Sequence, residues 1–169
     1  MKRNVIAVIS WLMALWMCKV FLSSLPYKFT GHPDTQHIFG TIGAWMSGIL
    51  GSAIGDLFTS IGAIGVGTFE LLTSIVLLLP ALLWILAKAG IGKATDQRAK
   101  FHRIGGAMAA MVMAGAVFFH LFTPLGVEVL HQGKSDGGSL FYAAASILVC
   151  GVIMLVINSL KMEDSAERA

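Results

Sequence analysis

The sequence predicts an all-α polytopic membrane protein, a four-transmembrane-helix bundle with an extra amphipathic helix between spans one and two. Three observations predict it. Only 12% of the 169 residues are charged and 56% are hydrophobic, before the 19 Gly are counted, where soluble domains carry roughly 25% charge. Four stretches reach the ~20 apolar residues needed to cross a ~30 Å hydrocarbon core. They hold continuous apolar runs, such as 75–79 and 152–157, instead of the strict alternation of a membrane β-barrel. The same composition excludes a disordered chain, which needs high charge and low hydrophobicity. Two Cys are too few for a disulfide scaffold, and so few charges could not coat a soluble enzyme. One membrane domain, residues 1–169, is expected.

Span one covers about 5–25, behind Lys2 and Arg3 and interrupted by Lys19. The start resembles a secretory signal, but the apolar run is long and no small-x-small cleavage site follows it, so a retained helix is expected. Residues 26–34 are rich in turn formers. Ile38, Phe39, Ile42, Trp45, Met46, Ile49 and Leu50 then form a helical stripe over about 33–51, opposite a small and polar face of Gln36, His37, Gly40, Thr41, Ala44, Ser47 and Gly48. That helix lies in the outer interface with Trp45 at headgroup depth, or dips into the bundle. Pro33, Asp34 and Thr35 supply its capping chemistry, and Gly48, Gly51 and Gly55 mark its end. Span two covers about 61–87, with Glu70 and Pro80 inside. Span three covers about 104–123, where Gly106, Ala110 and Ala114 make a small-xxx-small packing face. Span four covers about 139–160.

Nine of the 12 Lys and Arg fall at the N-terminus, in the loop 88–103 and in the C-terminal tail. The excess of positive charge on one side predicts that both termini are cytoplasmic. The net charge of +3 thus reflects topology, and nucleic acid is not an expected partner.

Ionisable groups inside spans are expensive and invite a functional hypothesis. At ~1.5 Å per residue, Lys19 lies ~10 Å, Glu70 ~13 Å and His120 ~6 Å below the outer ends of their spans, so separate helices can bring them together. Glu70 shares its helix face with Ala63, Val66, Gly67, Thr73, Ser74 and Leu77, a face suited to a small polar cavity. An unpaired Glu in hydrocarbon prefers its neutral form, and a Lys or His partner keeps it ionised. The bland alternatives are a snorkelling Lys19, a Glu70 satisfied within the bundle, and a structural His120.

Redox signatures are missing. Cys18 and Cys150 stand alone, and only His120 lies inside a span, where b-type haem usually needs two His. His32, His37 and His131 lack metal-ligand spacing, so no metal is expected. Gly62, Gly65 and Gly67 lie in an apolar helix and read as packing residues.

Lys28-Phe29-Thr30-Gly31-His32-Pro33-Asp34, followed by Phe39 and Gly43, resembles a Lys, Gly-x-Pro and Phe pattern of the DoxX-like membrane family. Gly67-Thr68-Phe69-Glu70-Leu71 leading to Leu78-Leu79-Pro80 is similar to that family's Gly-x-x-Glu-Leu run. Met111–His120, with Gly115-Ala116 before Phe118, resembles its small-residue third span. The resemblance covers roughly residues 5–160. It implies that Lys28 and Glu70 form the polar pair, with His120 the third-span polar position, and it ranks Lys28 above Lys19 as the partner of Glu70. It also implies a four-helix protein of the bacterial cytoplasmic (inner) membrane. Some relatives serve as subunits or accessories of membrane oxidoreductases, including a thiosulfate:quinone couple.

The leading expectation is therefore an accessory or anchoring subunit of a membrane oxidoreductase system, quinone-proximal, with no catalytic activity of its own. Its partners would be the lipid bilayer, a membrane or soluble redox protein, and a second copy of the chain. The alternative is a small transporter or lipophile-binding protein with a polar cavity around Glu70, lined by Lys28, Thr73, Ser74, His120 and Lys19.

Overall fold

The computed structural model describes residues 2–91 and 97–166, and the side chains of these except 2, 3 and 161–166. Of the basic residues in the topology argument, Lys93 and Arg168 lie outside the described residues. The described chain is all-α apart from one small ribbon. Its elements are α1 (Lys2–Phe29), α2 (Pro33–Leu50), α3 (Ser52–Lys88), α4 (Arg98–Phe122), β1 (Leu130–His131), β2 (Lys134–Ser135) and α5 (Ser139–Ala166). Four helices, α1, α3, α4 and α5, are long and apolar enough to cross a membrane. Their outward faces carry exposed large apolar residues, among them Leu12, Trp84, Met111 and Val149, as contact with a lipid bilayer requires.

α2 starts as its sequence suggests, with Pro33 in the first turn, where the missing N–H costs nothing. The cap, however, is His32, whose Nδ1 accepts the Asp34 N–H at 3.3 Å. The helix stops at Gly51, whose φ of 94° suits glycine, and α3 begins on the next residue. α3 thus starts nine residues before the expected edge of span two at 61 and runs for 37 residues, about 55 Å at 1.5 Å per residue. The chain reverses at Gly51, and α2 packs back along the first half of α3. Glycine permits this: a Cβ on Gly43 would lie 2.7 Å from the Gly55 carbonyl oxygen, and one on Gly62 2.9 Å from the Phe39 ring. The expected faces of α2 are corrected accordingly. Phe39, Ile42 and Gly43 are buried, whereas Ile49 and Leu50 at the end of the stripe are exposed.

α1 packs on α3 and α5, and α4 packs on the same two helices. Between them lies a core of Met17 and Phe21 (α1), Leu77 (α3), Ala109 and Met113 (α4), and Ile147 and Met154 (α5). A smaller core joins Ile42 of α2 to Leu125 and Val129 in the α4–α5 connection. That connection carries the unexpected ribbon, in which Leu130 pairs with Ser135 and His131 with Lys134. Gln132 and Gly133 between them both have positive φ, as a two-residue hairpin turn demands.

Two further expectations are corrected. Ala114 is exposed, whereas Gly106 and Ala110 do meet α5 at Gly151, and the buried face of α4 runs through Gly105, Gly106, Ala109 and Met113. Nothing lies within 4 Å of where a Cβ on Gly65 would be, so Gly65 is no packing residue.

Candidate functional site

Glu70 sits mid-way along α3 and is buried. Lys28, in the last turn of α1, meets it: Lys28 Nζ donates to Glu70 Oε2 at 2.5 Å, with the two side chains 16% and 3% exposed. Gly67, one turn before Glu70, makes room for this approach, because a Cβ there would lie 3.3 Å from Lys28 Cβ. Ser24 completes the arrangement. Its hydroxyl accepts from Lys28 Nζ at 2.8 Å and donates to Glu70 Oε2 at 3.0 Å. Ser24 was not among the expected site residues. Its spacing four before Lys28, on the face that buries Phe21, was the available signal.

The other expected residues divide. His120, in the last turn of α4, joins Lys28 and Glu70 in lining one cavity of about 640 Å³. The walls are mostly apolar and aromatic, from Phe39, Phe58, Met113, Phe119, Leu125 and Ala144. Phe58 packs against Phe39 and Phe119, with ring centroids 5.5 and 5.6 Å apart. Thr73 and Ser74 are buried, but their hydroxyls turn back to carbonyls of their own helix, Phe69 at 2.8 Å and Glu70 at 2.9 Å. Neither lines the cavity, and the Ser74 carbonyl accepts from the Cys18 thiol of α1 at 3.8 Å. Lys19 is not brought to Glu70. It is exposed on α1, with Nζ 5.5 Å from the Trp16 ring centroid. Lys19→Met is accordingly expected to change stability by no more than about 0.5 kcal/mol, read as the midpoint of thermal unfolding in one detergent.

The outer rim of the cavity is held by carboxylates. Asp34 accepts from His131 Nδ1 at 2.7 Å, which ties the ribbon to α2. His37 stacks on His131, centroids 4.6 Å apart. Among the described residues no group of three ligating side chains is placed to hold a metal ion. Asp136 accepts from the backbone N–H groups of Val129, Gly138 and Leu140 at 2.8–3.0 Å, and so caps α5. Burial pushes the Asp136 carboxyl up, but its hydrogen bonds from Leu140, Val129, Gly138 and Ser139 together outweigh this and hold it below the ordinary range. The His131 hydrogen bond is the leading reason that Asp34 is also low.

Both values lie below the usual ~3.9. The stability these groups lend is therefore complete above that pH and is lost as the pH falls through the lower folded-state values. Amide-exchange protection in the 129–140 segment, relative to the intrinsic rate at each pH, is expected to fall below pH ~4. Asp136→Ala should cost about 1 kcal/mol, as lost helix caps do, and should reduce that acid step to the part that Asp34 contributes.

A second buried polar group lies toward the other end of the helices. Asn158 of α5 donates to Ser10 at 3.1 Å and accepts from Arg98 at 3.1 Å. Arg98, expected in a loop, is buried at the start of α4. His102 lies fully buried against the edge of Trp11, centroids 4.6 Å apart. Comparison with protein-family models, with curated proteins and with solved structures finds no match.

Proposed function

We propose that this chain is a DoxX-like membrane protein whose α1, α3, α4 and α5 form a four-span bundle in the bacterial cytoplasmic membrane. It serves as an accessory or anchoring subunit of an oxidoreductase system and holds a quinone-type lipophile in the Glu70 cavity. α2 is the extra helix, folded over the cavity on the outer side, and both termini face the cytoplasm with the basic 88–103 loop. One observation carries the functional reading: a Lys28–Glu70 pair whose carboxylate is buried lines a mostly apolar cavity of about 640 Å³. Ionised pairs within spans mark ligand or ion pathways. A volume in the range of ligand pockets, with a few convergent polar groups, suits a molecule with an oily body and one polar head.

The test is extraction. Protein purified in mild detergent is expected to retain quinone extractable into organic solvent, and Glu70→Gln to lower the retained amount by roughly tenfold, the worth of one hydrogen bond to a charged group. A preparation that carries no quinone and no redox protein would overturn the reading. A protein that binds quinone and brings down no redox partner would instead be a lipophile carrier acting alone.

A further inference from the structure

Residues that line the cavity and are also exposed mark where it opens, and they mark two places of different chemistry. One is the outer rim. Tyr27 of α1, Asp34 of α2 and Leu140 of α5 are exposed lining residues within two residues of the ends of their helices. Exposed Ser23 continues this opening down α1, and further in the α1–α5 seam is closed by Trp16, which donates to the Ser146 hydroxyl at 3.1 Å. The other opening is marked by Met111 of α4, a lining residue that is 63% exposed.

Met111, Gly115 and Phe119 follow one another at four-residue spacing and so share a side of α4. Phe119 meets Phe58 of α3, ring centroids 5.6 Å apart. Deeper in, α4 meets α3 again at Gly105, where a Cβ would fall 2.5 Å from Leu77 Cδ2. These two contacts stand about 28 Å apart along α3 and about 21 Å apart along α4. Between them Val66, Met111 and Gly115 line the cavity, and nothing lies within 4 Å of where a Cβ on Gly115 would be. A glycine inside a helix costs roughly 0.5–1 kcal/mol against alanine. Neither a positive φ nor a close neighbour accounts for this one; what it leaves is a gap. Met111 and Gly115 lie ~16 and ~10 Å inside the outer end of α4 at Phe122, which in the four-span reading is hydrocarbon depth.

We infer that the occupant of the cavity is a lipid with a long flexible apolar tail, its head beside Lys28 and Glu70 and its tail leaving to the bilayer between α3 and α4, past Gly115. The rim cannot serve the tail as well. Asp34 and Asp136 line the cavity there, and a hydrocarbon chain laid across ionised carboxylates strips them of water. The passage at Gly115 is bordered by Val66 and Met111, so a tail threading it goes from an apolar wall straight into lipid. The inference rests on the reading of this cavity as a lipophile site and adds the tail and its exit.

The probe is a ubiquinone whose isoprenoid tail carries a diazirine at its middle. It is photolysed on the full chain in nanodiscs, and the crosslinked residues are read by mass spectrometry. Labels that excess tailed quinone displaces are expected on 58–77 of α3 and 105–119 of α4. Gly115→Trp fills the gap where no neighbour stands in the way. It is expected to weaken binding of the tailed quinone roughly tenfold or more, and of the tail-less dimethoxy-methylbenzoquinone head less than roughly twofold, with empty nanodiscs subtracted. Gly65→Trp, at an exposed glycine of α3 that does not line the cavity, should leave both unchanged. Displaceable labels confined to Ser23, Tyr27 and Leu140 would overturn the exit between α3 and α4 and leave the lipophile site standing. So would a Gly115→Trp protein that loses both ligands equally or loses neither, since Gly115 would then be no more than a wall. If Gly115→Trp does not fold, the label positions alone decide. No displaceable labelling anywhere would overturn the site itself.

Discussion

Lys28→Met is expected to destabilise the folded protein by about 3–5 kcal/mol, the cost of stripping the partner from a buried charge. Glu70→Gln is expected to cost less. The asymmetry follows from exposure. The Glu70 side chain is 3% exposed and the Lys28 side chain 16%, so an orphaned Lys28 can bend its stem toward the outer edge, while an orphaned Glu70 has nowhere to go. Ser24 compensates Glu70 only in part, since its hydroxyl also serves the Phe21 carbonyl. The double variant Lys28→Met/Glu70→Gln removes both charges with little change in volume and should recover most of the loss, because replacing a buried pair with neutral groups of similar shape is often close to neutral. A double-mutant cycle, read by unfolding in mixed micelles, measures this directly. Two additive losses would show that the groups do not act as a pair. Stability would recover in the double variant but retained quinone would not, which separates the role of the pair in folding from its role toward a ligand.

The four long helices were legible because a single physical constraint, the length of an apolar run, dictates them. Glu70 was legible for the converse reason: a carboxylate in such a run must have a partner. The identity of that partner was harder to read. Depth along the helix favoured Lys19, and the rotation of α1 decides against it, since nine positions along a helix turn the side chain through two and a half turns. Lys28 was named by the family resemblance, and its contact with Glu70 rests on that rotation.

Other features escaped because they depend on packing at a distance. The Gly51 reversal sets α2 against α3 through Gly43 and Gly55, and an apolar stripe does not reveal that its small residues, not its large ones, make the closest contact. The turn residues of the ribbon, Gln132 and Gly133, lack the Asn-Gly signature that would announce a hairpin. Asn158 in the fourth span was a signal left unused. A carboxamide in an apolar run needs partners as a charge does, and it finds Ser10 and Arg98.

The second large effect lies where no polar atom is involved. α4 and α5 approach through Gly106 and Gly151, and the approach is backbone to backbone. A Cβ on Gly151 would lie 2.7 Å from the Gly106 carbonyl oxygen and 2.8 Å from the Ala110 nitrogen, and one on Gly106 would lie 2.9 Å from the Gly151 oxygen. A flexible side chain can yield to such a contact, but a helix backbone cannot, so the helices themselves must separate. Between lipid-facing helices, close packing replaces the hydrophobic drive that water supplies elsewhere. Gly151→Leu is therefore expected to cost at least about 3 kcal/mol, the upper end of overpacking in a core, and Gly151→Ala about 1–2 kcal/mol. The alanine result carries the more information, because helix propensity alone favours Ala over Gly by roughly 0.5–1 kcal/mol. Gly65→Ala supplies the contrast in α3, where nothing lies within 4 Å of the new methyl, and it should be neutral or stabilising by about that propensity. Unfolding midpoints of the two alanine variants in the same detergent should move in opposite directions. If Gly151→Ala proves as stable as Gly65→Ala, α4 and α5 are not in backbone contact at this crossing.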